Sequence, residues 1–184
     1  MNRLLAPILL LTLLFPALAF GETMDDLVER DGIHYKKFTT VPFTGKVTGD
    51  EQGSFKDGKK VGPWVGYHDN GKLESKGTYK DGRKDGPWIE YHDNGKLESK
   101  GTFKDGKQDG PWIKYHKNGQ LWSKGTYKDG KKDGPWVDYW DNGQLLCKGI
   151  YKDGKMDGPW VGYNKDGTVG EELTGTFKDG VKVD

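Results

Sequence analysis

Three histidines recur at a fixed spacing of 24 residues, at His68, His92 and His116. If each belongs to a neighbouring hairpin, two strands at ~4.8 Å separate them by roughly 9.6 Å. Zinc ligands must each lie within ~2.1 Å of the metal, so two members of this series cannot share one ion. The fourth copy of the position is Trp140. We therefore expect surface strand residues here and no metal site.

Paired aspartates at Asp81 and Asp85, and again at Asp129 and Asp133, raise the question of calcium. No 12-residue calcium loop surrounds them, and lysines flank each pair. The pattern favours ordinary Asp-Gly turns.

Nucleophilic catalysis has little support. The only cysteine, Cys147, takes the repeat position of Ser75, Ser99 and Ser123, which favours a replacement of serine. The alternative is a free thiol that forms an intermolecular disulfide. The four histidines show no evident Ser–His–Asp arrangement, and no glycine-rich loop is followed by a helix that could hold phosphate. We expect no catalytic residues and no cofactor.

Composition narrows the classes of protein further. The chain has 184 residues, 29 of them glycine, 12% aromatic residues and a formal net charge of +1. Leu, Ile, Val and Phe make up about 16% of residues 20–184, too little for a conventional enzyme core. The near-zero charge fits neither a disordered polyelectrolyte nor a basic nucleic-acid binder.

Residues 1–19 have the features of a secretory signal peptide. Arg3 precedes an apolar stretch from Leu4 to Phe15, and small residues stand at Ala17 and Ala19. The stretch is short for a membrane span, although an uncleaved anchor is the alternative. We expect cleavage after Ala19, a mature protein without a transmembrane segment, and a periplasmic or secreted location.

The rest of the chain repeats. Units of 24 residues begin at Gly53, Gly77, Gly101 and Gly125, and a unit of 26 residues begins at Gly149. Residues 53–184 thus form five repeats and a terminal stub, while residues 20–52 form an atypical N-terminal cap.

Each repeat reads as two strands and two turns. Asp69, Asn70 and Gly71 suit a three-residue hairpin loop with Gly71 left-handed, and residues 80–86 suit a longer polar turn. The fold class is therefore all-β: an elongated single-sheet antiparallel meander of β-hairpin repeats. In this register the apolar face carries Val65, Tyr67, Leu73, Ser75, Gly77 and Tyr79. The other face carries Trp64, Gly66, His68, Lys72, Glu74 and Lys76.

The repeated pattern Gly-x-Tyr/Phe-x-Asp-Gly-x-x-x-Gly-x-Trp-x-x-Tyr-x-x-x-Gly resembles MORN repeats, most closely the variant of secreted bacterial proteins. The resemblance covers residues 53–180, and Leu27–Val47 looks like the leader before such repeats. It implies an elongated sheet of hairpins that serves as an interaction or scaffold surface, without catalytic residues. Some bacterial members carry an antitoxin label, which fits poorly with a secretory signal.

The informative positions are departures from the repeat. Glu74 and Glu98 become Trp122 and then Leu146, while the histidine position becomes Trp140. The predicted register puts these changes on one face with Trp112, Trp136 and Trp160. A contiguous apolar patch on a solvated sheet marks an interaction site. The alternatives are self-association and internal packing under another segment.

Three functions compete. The first is a non-enzymatic scaffold module of the bacterial envelope or exterior that binds a protein partner through this aromatic face, at Trp122, Trp140, Leu146, Trp112 and Trp136. The second is a cell-wall glycan-binding module, in which aromatic columns stack on sugars. The third, binding to a membrane surface, is disfavoured by the near-zero charge.

Overall fold

The computed structural model describes residues 21–184, so the proposed signal peptide of residues 1–19 lies outside the described part. Residues 21–184 contain one short 3₁₀ helix, Met24–Asp26, and no helix in this range is long and apolar enough to cross a membrane. The strands are β1 (Glu22–Thr23), β2 (Leu27–Arg30), β3 (Ile33–Lys36), β4 (Gly45–Thr48), β5 (Glu51–Lys56), β6 (Lys59–Tyr67), β7 (Leu73–Lys80), β8 (Arg83–Lys84), β9 (Gly86–Tyr91), β10 (Leu97–Lys104), β11 (Lys107–Gln108), β12 (Gly110–Tyr115), β13 (Leu121–Lys128), β14 (Lys131–Lys132), β15 (Gly134–Tyr139), β16 (Leu145–Lys152), β17 (Lys155–Met156), β18 (Gly158–Tyr163), β19 (Val169–Lys178) and β20 (Val181–Lys182).

Eighteen of these strands form one long sheet, and β2 and β3 form a separate hairpin. From β4 onward each longer strand pairs antiparallel with the longer strands before and after it in sequence. The two-residue strands β8, β11, β14, β17 and β20 each pair with the strand before them, and β1 runs parallel to β4. This architecture confirms the predicted all-β meander of hairpin repeats.

The Asp-Asn-Gly turn has the predicted geometry. The backbone N–H of His68 donates to the carbonyl of Lys72 over 2.9 Å, and Tyr67 pairs with Leu73. Gly71 has a φ of 75°, a value that glycine adopts without strain. The loop is therefore a three-residue turn with a left-handed glycine.

The second turn is tighter than predicted. Asp81 and Gly82 have φ values of 50° and 81°, and Lys80 pairs directly with Arg83. Positive φ at both central residues defines a two-residue type I′ hairpin turn, whose twist matches the flanking strands. The prediction of a longer polar turn over residues 80–86 was wrong, because Arg83 and Lys84 already belong to a strand.

The predicted faces were also wrong for one strand of each hairpin. A β-bulge leaves Glu74 unpaired, so Gly66 lies opposite Ser75 and Trp64 opposite Gly77. Residues directly opposite one another point to the same side of a sheet. Trp64 therefore shares its face with Gly77 and Tyr79, and the Val65 series lies on the other face.

Asparagines join one repeat to the next. The amide nitrogen of Asn94 donates to the carbonyl of Lys117 over 2.7 Å, while its oxygen accepts the N–H of Lys96 over 2.9 Å. The bonds recur at Asn70, Asn118 and Asn142. One side chain thus closes its own turn and binds the neighbouring hairpin.

The N-terminal segment packs on the first repeat. The β2–β3 hairpin turns at Asp31 and Gly32, and the N–H of His34 donates to the carbonyl of Gly58 over 2.8 Å. A buried cluster joins this segment to the repeats and consists of Leu27, Phe43, Val47, Phe55 and Trp64.

Candidate functional site

An aromatic ladder forms the core of the repeats. Neighbouring rings lie 5.0–6.1 Å apart, mostly edge to face, which is a favourable arrangement for aromatic pairs. We call the sheet face that carries it the ladder face. The ladder consists of Phe55, Trp64, Tyr79, Trp88, Phe103, Trp112, Tyr127, Trp136, Tyr151 and Trp160.

Two of the five predicted site residues belong to this core. The side chains of Trp112 and Trp136 are each only 2% exposed. Trp112 lies over Gly101 and Trp136 over Gly125, where a Cβ would overlap the indole ring. The prediction that a partner packs on the rings of Trp112 and Trp136 is therefore corrected: both rings belong to the buried ladder and are not exposed on the ladder face.

The bulge selects which side chain each repeat presents. The residue skipped by strand pairing is Glu74 in the first repeat, Glu98 in the second, Trp122 in the third and Leu146 in the fourth. Bulges re-aim side chains and often lie beside functional sites. The two departures that the sequence singled out thus occupy the one irregular position of the strand.

The third departure, Trp140, replaces a histidine that links repeats. Nε2 of His68, His92 and His116 lies 2.8–2.9 Å from the carbonyl oxygen of Tyr91, Tyr115 and Tyr139, respectively. Trp140 donates its indole N–H to the carbonyl oxygen of Tyr163 in the same way, over 3.0 Å.

Residues 21–184 contain no cluster of three or more side chains that could hold a metal ion.

Trp122, Trp140 and Leu146 make up what we call the apolar patch. Trp122 is 42% exposed and lies 5.7 Å from the ring of His116. Trp140 and Leu146 are half-buried and line one depression of about 500 Å³, together with Val169 and Leu173. Leu146 also packs on the buried cluster around Trp136 and Trp160, which anchors the patch to the ladder face.

The first two repeats present a polar groove on the ladder face. It encloses about 420 Å³, and its charged lining includes four carboxylates and two lysines: Glu51, Glu74, Glu90, Glu98, Lys60 and Lys84. Lys84 lies 3.9 Å from the centre of the Trp88 ring and 3.7 Å from Glu90. Burial lowers the pKa of Lys84, and Glu90 opposes that shift. At the bulge position, the ladder face therefore changes from charged to apolar along the array.

Cys147 is a buried replacement of serine. Its thiol donates to Asp138 over 3.6 Å, as the hydroxyl of Ser99 donates to Glu90 over 2.7 Å. Burial, with a smaller contribution from the Asp138 charge, raises the pKa of the Cys147 thiol to about 12. A protonated, buried thiol is a poor nucleophile and a poor disulfide partner.

The opposite face carries an apolar strip that the sequence reasoning missed. Pro135, Val137, Ile150, Pro159 and Val161 line a shallow depression of about 420 Å³ there. Ile150 is 45% exposed and stands where the other repeats have Thr78, Thr102 and Thr126. The replacement of threonine by isoleucine at this repeat position was the sequence signal that could have revealed the strip.

The family comparison agrees with this architecture. The MORN repeat variant matches four tandem stretches, at residues 60–81, 84–105, 108–129 and 132–153. A comparison with curated proteins gives no match. MORN repeats suggest a repeat-based interaction or scaffold module, and the family is generally non-catalytic. The chain belongs to the MORN repeat family.

Proposed function

We propose that this protein is a non-enzymatic interaction module of the bacterial envelope or exterior, which binds a protein partner through the apolar patch of Trp122, Trp140 and Leu146. The observation that carries the proposal is Trp122, an indole 42% exposed on a bulge where the earlier repeats present glutamate. Exposed tryptophan is enriched among the residues that dominate binding energies. The signal peptide predicted for residues 1–19 supports the location outside the cytoplasm.

The fold does not require the apolar patch, which favours recognition over packing. The ladder tryptophans are 2–4% exposed, while the three patch residues stand at positions that hold His and Glu in other repeats. Those repeats form the same sheet without a patch. The glycan alternative loses the tryptophan column as a stacking surface, because those rings are buried, and would depend on the half-buried tyrosine column at Tyr67, Tyr91, Tyr115 and Tyr139.

The test is a capture experiment with mature protein, residues 20–184, on envelope extract. The variant Trp122→Glu, Trp140→His, Leu146→Glu restores the chemistry of the first two repeats. Ile150→Thr, on the opposite face, is the matched control. We expect the wild type and the control to retain the same protein and the folded triple variant to lose it.

Equal retention by the triple variant would contradict the proposal. A dimer that forms only with the intact patch, without another partner, would make it a self-association surface instead. Depletion of the wild type by sedimented cell-wall material, abolished by the same variant, would favour the glycan alternative.

A further inference from the structure

In the second and fourth repeats a carboxylate lies at the centre of a hydrogen-bonded group on the ladder face. Glu90 accepts the indole N–H of Trp88 on one oxygen over 3.2 Å and the hydroxyl of Ser99 on the other over 2.7 Å. In the fourth repeat, Asp138 accepts the indole N–H of Trp136 over 3.0 Å and the thiol of Cys147 over 3.6 Å.

The third repeat keeps both donors, as Trp112 and Ser123, but has Lys114 in place of the carboxylate. Lys114 lies opposite Ser123 in the register that places Glu90 opposite Ser99. The Nε1 atom of Trp112 is buried and has no hydrogen-bond partner within residues 21–184. A buried unpaired N–H carries its full desolvation cost, and a bond to a charged acceptor recovers more than a neutral one does.

The position of Lys114 adds a positive charge beside these donors. Its ammonium lies 5.5 Å from the centre of the Trp122 ring, so the unfilled group adjoins the apolar patch. Lys114 is half-buried, and a flexible lysine stem lets the ammonium turn from the ring towards an incoming anion.

We propose that Trp112, Ser123 and Lys114 form a carboxylate-binding site, filled by an Asp or Glu side chain or by a C-terminal carboxylate of the partner that docks on the patch. That a partner supplies the carboxylate rests on the proposed function. The anion site itself rests on the two donors, Trp112 and Ser123, that lack the carboxylate acceptor of the flanking repeats. A carboxylate matches these donors because the flanking repeats use one as the acceptor, with one donor to each of its oxygens.

The experiment follows the indole N–H signals by ¹H–¹⁵N NMR while small carboxylates are added to the mature protein. N-acetyl-glutamate amide supplies a side-chain carboxylate, and N-acetyl-leucine supplies a terminal one. The neutral control is N-acetyl-glutamine amide, and inorganic phosphate tests for a general anion site. The Trp88 and Trp136 signals are internal references, because their N–H groups already have acceptors.

We expect a saturable shift of the Trp112 signal with one or both carboxylates, and little change at Trp88 and Trp136. Lys114→Glu should abolish the response, move the Trp112 signal towards that of Trp88 and raise the melting temperature. Lys114→Met, which supplies no charge and only a weak thioether acceptor, should weaken the response. Lys124→Glu, an equal change of charge opposite Ile113, should leave it intact.

An equal shift with the neutral amide, a stronger response to phosphate, or a full response in Lys114→Glu would overturn the proposal. So would a Trp112 signal that stays fixed with every carboxylate. A selective shift in a protein that captures no partner would support the anion site while contradicting the proposed function.

Discussion

The indole N–H of Trp140 donates to the carbonyl oxygen of Tyr163, in the place where Nε2 of His116 meets Tyr139. Tryptophan can only donate and a carbonyl can only accept, so the shared geometry assigns the Nε2 proton of the histidines. The histidine series is thus a line of hydrogen bonds between repeats. It tolerates tryptophan because the indole supplies the same N–H.

Loss of that bond should be measurable at Trp140. Trp140→Phe removes the donor and should lower the free energy of unfolding by about 1 kcal/mol relative to Trp140→His, which keeps it. Urea unfolding of the two variants gives the comparison. Equal stabilities would mean that the bond to Tyr163 contributes nothing.

The glycines beneath the ladder should not tolerate a methyl group. A Cβ at Gly101 would overlap the ring of Trp112, so Gly101→Ala should destabilise the protein by roughly 1–3 kcal/mol, the usual cost of overpacking. Thr102→Ala, at the exposed neighbouring residue, should change stability by less than about 0.5 kcal/mol. A neutral Gly101→Ala in urea unfolding would contradict the described packing.

The turn asparagines should divide into two separable contributions. The side-chain oxygen of Asn118 accepts the backbone N–H of Gln120 over 2.9 Å, and its amide nitrogen donates to the backbone carbonyl of Asp141 over 2.6 Å. Asn118→Ala loses both bonds and Asn118→Asp keeps the first, as Asp166 does naturally in the fifth repeat. We expect Asn118→Ala to lower the free energy of unfolding by about 1–3 kcal/mol and Asn118→Asp to lower it by less, as measured by urea unfolding. An aspartate as damaging as alanine would assign the whole effect to the inter-repeat bond.

Cys147 should give stability a dependence on alkaline pH. Its thiol pKa rises from 9.0 to about 12 on folding, so between those values the unfolded chain ionises while the folded protein keeps its proton. Stability therefore falls as pH increases through this window. Cys147→Ser removes the effect, and its stability relative to wild type should increase from pH 9 upward. A constant difference in thermal unfolding across that range would rule out this assignment.

The sequence was sufficient for the repeats and the first turn, because glycine, asparagine and aspartate encode backbone geometry locally. It was insufficient to predict which side chains share a face of the sheet, because the bulge at Glu74 has no local sequence signal. One unpaired residue moves every following side chain of that strand to the opposite face. The glycine that begins each repeat was the missed clue, because it makes room for an indole: Gly53 lies beneath Trp64 and Gly77 beneath Trp88.

The candidate site was half predictable for the same reason. Trp122, Trp140 and Leu146 differ from their own repeat, and such differences are visible without a structure. Trp112 and Trp136 do not differ, and only the ladder geometry shows that they are buried. The proposed carboxylate site beside Lys114 could not be predicted from the sequence, because it depends on the Trp112 indole N–H having no acceptor in the folded protein.

The most direct test of the account is site-specific photocrosslinking in the living cell. A photoreactive phenylalanine analogue replaces Trp122 on the ladder face or Ile150 on the opposite face, both of which are exposed. The account predicts a crosslink to one discrete envelope protein from position 122 and none to it from position 150. A crosslink only between copies of this chain, or the same product from both positions, would contradict it.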